Sequence, residues 1–287
     1  ALEKQYRQVY NTMSGSLHFL AFLLYSALGL LFWRSVWRPA GPGIAPHAAE
    51  ASAVGRLAIL VPLALHGTLL QLSLFPGAGL NLGIGNTVSA IAWLTVLVYW
   101  LASFHYNMEG LQTLVLPGAA VCLLLPLVFP EAHAIPHTEL PLFKVHLLIS
   151  LLAYSLFTIA AVHAVLMALA ERRLHGHALS RILGKLPPLL AMEALLFRII
   201  TAGFVLLTLS ILSGVMFSEE LFHKPLQFSH KSLFALLSWG IYAALLGGRR
   251  IYGWRGRTAI LWTLAGFAML LLAYLGSKFV LEVILQR

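Results

Sequence analysis

Eight apolar runs, at about 15–36, 56–75, 86–104, 111–129, 142–170, 196–217, 230–248 and 257–284, follow one another along the chain with only short polar stretches between them. About 20 consecutive apolar residues are what a helix needs to cross the hydrocarbon core of a bilayer. Inside lipid, only a helix or a closed barrel satisfies its own backbone hydrogen bonds. The pattern therefore predicts an all-α polytopic integral membrane protein with about eight transmembrane helices. Composition agrees: charged residues make up 10% of the chain and mean hydropathy is +0.85, whereas a soluble domain carries roughly a quarter charged residues.

The charges give the runs a direction. Arg34, Arg38 and Arg56 flank the first connection, Arg172, Arg173, Arg181 and Lys185 lie in the fifth, and Arg249, Arg250, Arg255 and Arg257 in the seventh. The alternate connections are poor in cations, with Lys144 near the fourth and Lys224 and Lys231 around the sixth. Positive residues accumulate on the cytoplasmic side, so the expected topology is N-out/C-out in a bacterial cytoplasmic (inner) membrane. The third connection, near His105 and Glu109, lacks Lys and Arg and is assigned by parity. Segments 76–85, 130–141 and 218–229 then lie outside. The net charge of +9 is spread over short loops and forms no patch of groove size. It reads as an orientation signal and contact with anionic membrane lipid, not as a nucleic-acid surface.

Residues 1–14 read as a polar N-terminal segment, either a surface helix or a non-native piece, and 15–287 as one transmembrane helical domain. The single cysteine, Cys122, lies in an apolar run. It forms no internal disulfide and no CxxCH haem attachment, and reads as packing.

Chemistry-bearing residues within the runs are few. Walker loops, GxSxG, HExxH and paired intramembrane carboxylates are absent, and Glu109, Glu193, Glu219, Glu220 and Glu282 fall near run ends. His66 stands out, about ten residues or roughly 15 Å into the second run. His146 and His230 open the fifth and seventh runs on the expected outer side. His163 lies 17 residues beyond His146, about 25 Å away and near the inner face, so those two do not share one iron. Neutral imidazole ligates iron well, and histidines on facing helices clamp haem within helical bundles. His66, His146 and His230 are therefore candidate binding residues for a haem b, with His66 and His146 the candidate axial ligands and His230 a replacement partner. The competing reading is a solvated histidine at a helix end. His163, His105, His175 and His177 read as interfacial, beside Arg clusters, and His133, His137 and His223 as loop residues. Trp93 and Trp239 fall inside runs, either as packing or as a flat wall for a porphyrin. The Gly-rich stretch 76–86 reads as a tight outer turn.

Several segments resemble a known family. The run from Phe197 to Gly214 leads to His230-Lys231, followed by Trp239, the stretch Gly253-Trp-Arg-Gly-Arg-Thr-Ala259 and a last run with Tyr274-Leu-Gly-Ser-Lys278. Val145-His146 and Ala153-Tyr154 fit the same pattern. These resemble the integral membrane cytochrome c assembly superfamily (CcsA, CcmC and CcmF), nearest its shorter YpjD/HemX-like branch. The likeness covers about 50–284 and is strongest from 142 onward. It implies that His66 stands at the family's histidine in an early span, and His146 at its outer histidine. In haem-handling members a tryptophan-rich outer motif presents haem to apocytochrome c. The matching stretch here, Pro225-Leu-Gln-Phe-Ser-His-Lys231, has no Trp; Phe228 is the nearest aromatic and Lys231 alone holds its place. Leu246-Gly247 stands where CcsA-type members carry a further histidine.

The resemblance thus implies the fold, and a haem-binding or haem-handling protein related to cytochrome c maturation without haem lyase activity. The alternative is a haem-free accessory or scaffold subunit of a membrane transporter or respiratory complex. A third reading, an independent solute transporter, has only His66, Gln71, Tyr154 and Thr201 to build a polar midplane site.

Overall fold

The computed structural model describes residues 2–37, 48–75, 80–106, 108, 110–129, 134–135, 141–174, 188–222 and 230–276. Outside these lie His133, His137, His175, His177 and His223, Glu109 and Glu282, the cations Arg38, Arg181, Lys185, Lys224 and Lys278, and most of the Pro225–Lys231 stretch. The chain divides into two compact units, Ala1–Pro136 and His137–Arg287.

The first unit contains α1 (Leu2–Trp37), α2 (Ala48–Leu74), α3 (Ile84–Ala102), α4 (Gln112–Leu123) and α5 (Leu125–Val128). Two-residue strands β1 (Leu80–Asn81) and β2 (Ala134–Ile135) pair antiparallel, with Leu80 opposite Ile135. On α1 the buried positions are His18, Ala21, Tyr25 and Gly29, at helical spacing, while Phe19, Leu20, Leu23, Leu30 and Leu31 face outward. Large apolar side chains on the outer surface and small or polar ones between helices are what lipid as solvent favours. Gly29 admits α4 closely, since a Cβ there would stand 2.8 Å from Cγ of Pro117.

The second unit contains α6 (Pro141–Leu174), α7 (Leu189–Phe222), α8 (His230–Ile251) and α9 (Gly256–Leu271), which closes in a π turn, Leu272–Gly276. Helices α6 and α7 pack along their lengths, as do α8 and α9. The central layer is the stack of Phe157 on Tyr242, with centroids 4.0 Å apart. The α8–α9 connection turns on Gly253 and Gly256, at φ +67° and +52°, a region that glycine enters without steric cost.

Seven of the described helices are long and apolar enough to cross a membrane: Ser14–Ser35, Val54–Leu74, Ile84–Ala102, Pro141–Arg172, Leu189–Met216, His230–Ile251 and Gly256–Tyr274. The fold is all-α and multi-pass, as expected. The expected fourth span is shorter, 112–128, and bends at Leu124 between α4 and α5. Pro117 lies inside α4 and Pro126 in the first turn of α5, and neither donates a backbone hydrogen bond. Helix α7 starts seven residues before the expected 196 and takes in Glu193, whose charge is paired inside the unit.

Candidate functional site

The expected ligand residues fall into three different environments. His66, in the middle of α2, is fully buried in the first unit. Its Nε2 is 2.9 Å from Oγ of Ser89 on α3. Its Nδ1 is 3.5 Å from the Tyr25 hydroxyl on α1, whose ring meets the imidazole edge-on. Both ring nitrogens are thus engaged, and three helices are joined by one polar cluster. A metal would take His66 only after Ser89 or Tyr25 had let go. His18, which the sequence did not single out, is also buried on the inner face of α1; its Nδ1 donates to the Ser14 carbonyl at 2.7 Å. The signal for it was present: a histidine at position i−7 from a buried tyrosine in an apolar run.

His146, in the second turn of α6, is half-buried against α7. Its Nδ1 lies 2.7 Å from Oγ of Ser213. The Ser213 hydroxyl donates to the Ser210 carbonyl, so Ser213 accepts and His146 carries its proton on Nδ1. Below it, Ser150 donates to the His146 carbonyl and lies 2.7 Å from Oγ of Ser210. The result is a seam of one histidine and three serines between two helices. Gly214 stands against it, and a Cβ there would be 3.5 Å from Cε1 of His146. A hydrogen bond that fixes the ring from Nδ1 is what a metal-ligating histidine commonly has, and the Ser213 contact of His146 has that form. Both nitrogens of His66 are instead engaged, by Ser89 and Tyr25.

His230 is the first residue of α8 and is exposed. Because α6, α7, α8 and α9 run alternately up and down, it shares one end of the second unit with His146 and the π turn. Tyr154 and Tyr274 meet edge-on nearby, with the Tyr154 hydroxyl donating to the Leu270 carbonyl at 3.0 Å.

The opposite end of this unit is a charged clamp. Glu193 on α7 pairs with Arg249 of α8, lies 3.9 Å from Nε of Arg255, and accepts from the backbone N–H of Gly256 at 3.1 Å. Arg249 also covers the Phe197 ring at 4.4 Å. The Gly253–Ala259 stretch and Phe197, two carriers of the family resemblance, thus meet here in a structural role.

His163, expected near the inner face, packs between helices beside the clamp end. It is 2% exposed, because α6 turns this side toward α7. Its Nε2 donates to the Met192 carbonyl at 2.9 Å, and its Nδ1 is buried without a partner. His105 does lie in an exposed turn. Both intramembrane tryptophans spend their N–H on packing: Trp93 donates to the Leu63 carbonyl, and Trp239 to Oγ1 of Thr208 while stacking on Phe204. The polar residues on which a transporter reading rested are dispersed. Thr201 bonds back to Phe197, and Gln71 borders an open apolar groove beside Trp93.

An all-α multi-pass membrane protein with a polar histidine–serine seam in one unit and a buried Tyr25–His66–Ser89 cluster in the other is the class defined here. The profile described as Cytochrome C assembly protein matches residues 55–285. The chain is 30% identical over 235 residues to the inner membrane protein YpjD of Escherichia coli (strain K12), which covers 80% of this chain and 88% of that protein. It is 39% identical over 88 residues to the cytochrome c biogenesis protein CcsA of Prochlorococcus marinus (strain MIT 9215), and 35% identical over 85 residues to that of strain NATL1A. Those matches cover 31% and 30% of this chain, and 28% and 27% of the relatives. The chain belongs to the cytochrome c assembly family and is a multi-pass protein of the inner membrane. Membership supports a membrane role related to cytochrome c maturation.

Proposed function

We propose that this protein binds and handles haem in the inner membrane without transferring it to apocytochrome c, and that His146 is its principal axial ligand. The observation that carries the reading is the 2.7 Å bond from Nδ1 of His146 to Ser213. It orients the ring and places its proton on Nδ1, so that Nε2 would be the nitrogen that ligates iron. The group would be a non-covalent haem b, since the one cysteine, Cys122, offers no attachment motif. When bound, haem supplies a redox-active iron; the chain supplies the imidazole, a serine seam that holds it, and a helical surround. His230, at the same end of the second unit, is the candidate second ligand. His66 becomes a ligand only with a change in the Ser89 and Tyr25 contacts. Absence of haem transfer is inferred from the stretch Pro225–Lys231, which contains no tryptophan.

A second reading, a haem-free accessory subunit of a membrane complex, is favoured by the engagement of both His66 nitrogens. A reduced-minus-oxidised spectrum of the purified protein after haem supplementation separates the two. A Soret and α-band that vanish in His146→Ala support the haem reading; no haem bands in folded wild-type protein would overturn it. Co-purification of a stable membrane partner with haem-free protein would establish the second.

A further inference from the structure

Apart from the histidines, the first unit holds a cavity of about 350 Å³ lined by Phe32 of α1, Arg56 and Ile59 of α2, Tyr99 of α3, residues of the following turn and Gln112 of α4. We propose that it binds the oxyanion, phosphate or carboxylate, of an amphipathic molecule, with Arg56 as the charge partner and Gln112 as the second donor. The proposal is independent of the haem reading.

Arg56 is held in place rather than neutralised. Its Nη1 donates to the Ser103 carbonyl at 3.3 Å, its guanidinium lies 5.2 Å above the Phe104 ring, and its own carbonyl accepts from Trp100 Nε1 at 3.0 Å. Both described ion pairs belong to Glu193, so among the described residues no carboxylate pairs with Arg56. A guanidinium has five donors in a planar fork suited to phosphate or carboxylate, and one of them is assigned here.

Gln112 provides the second observation. It is 8% exposed, and its Oε1 accepts from the Tyr99 hydroxyl at 3.1 Å. That bond turns the amide so that its NH₂ remains as donor, and among the described residues nothing accepts from it. A buried amide donor and a guanidinium that meets no carboxylate among the described residues, on the wall of one cavity, fit an acceptor that carries negative charge. The described lining residues include no carboxylate, while His105 stands exposed at the rim. Phe32, Ile59 and Met108 make the remaining wall apolar, and exposed Phe104 and Tyr106 border the opening. Aromatics and a cation at a helix end mark the membrane–water boundary, where an anionic phospholipid presents its phosphate and keeps its chains in the bilayer. The volume lies at the small end of ligand sites, about 300–1,000 Å³, which suits a headgroup.

The test uses the delipidated full chain in detergent, titrated with phosphatidylglycerol or phosphatidylcholine and followed by native mass spectrometry. Inorganic phosphate is titrated separately, followed by thermal shift. Wild type should retain phosphatidylglycerol about tenfold better than phosphatidylcholine, and Arg56→Gln should lose that preference. Protection by inorganic phosphate that Arg56→Gln abolishes, without a lipid preference, supports the same site and makes the source a free anion. Gln112→Glu places a carboxylate in the cavity without removing Arg56 and should repel either probe, which keeps the test open if Arg56→Gln misfolds. Arg257→Gln, outside the cavity, should bind as wild type. Equal binding of all probes by wild type and by a folded Gln112→Glu or Arg56→Gln would overturn the proposal.

Discussion

Ser213 accepts a hydrogen bond from Nδ1 of His146 at 2.7 Å and donates its own to the Ser210 carbonyl. One hydroxyl thereby sets both the tautomer and the orientation of the histidine proposed as the axial ligand. Replacing Ser213 by Ala removes the acceptor but keeps the imidazole. Haem affinity should fall by about tenfold or more, the range seen when the hydrogen-bond partner of a ligand is lost. His146→Ala should instead abolish the haem bands. Titrating haem into the two variants separates them; equal affinity of Ser213→Ala and wild type would show that the bond has no part in ligation.

His66 is expected to answer differently. His66→Ala leaves Ser89 and Tyr25 facing a new cavity, a loss of about 3 kcal/mol when the lost hydrogen bonds and the packing defect are combined. The thermal transition of the detergent-solubilised protein should drop, while the haem bands of the fraction that stays folded persist. A variant that melts like wild type and has lost its haem would make His66 a ligand in spite of its present contacts.

Much of this was legible from hydropathy, because lipid imposes a length and an apolar surface on every crossing segment. Legibility failed where a partner distant in sequence changed the cost of a polar group. The position of Glu193 near a span end was legible, but not its burial in α7 or its pairing with Arg249 and the Gly256 N–H. Nor does anything near His163 announce its bond to the Met192 carbonyl, 29 residues on. The bend at Leu124 came from prolines within a continuous apolar run, which hydropathy averages away. His146 was placed correctly at a helix start, but nothing local announces that Ser213, 67 residues on, holds its ring.

Glu193 offers a test of fold stability apart from haem. Glu193→Ala leaves Arg249 partly buried without its carboxylate and removes the acceptor for the first turn of α9. Breaking a buried pair from one side costs of the order of 3 kcal/mol, less here because Arg249 is 28% exposed. Thermal melting should show the drop, and Glu193→Gln, which keeps an acceptor for the Gly256 N–H, should recover part of it. Indistinguishable melting of all three would remove the clamp from the account of this end of the unit.

The packing layer at Tyr242 makes a sharper demand. A Cβ on Gly266 would stand 2.8 Å from the Tyr242 ring, and that ring cannot retreat, because Phe157 stacks on its other side at 4.0 Å and its hydroxyl donates to the Thr263 carbonyl. Gly266 also offers its carbonyl to Ser238 at 2.9 Å, so the α9 backbone is tied where the methyl would intrude. Gly266→Ala should therefore destabilise by about 1–3 kcal/mol, the usual cost of overpacking, although alanine is the better helix former. The paired change Gly266→Ala with Tyr242→Leu removes the clash and should cost less than the sum of the two single changes, a coupling that a double-mutant cycle of melting temperatures reads directly. Additive losses would mean that the two helices have room to part.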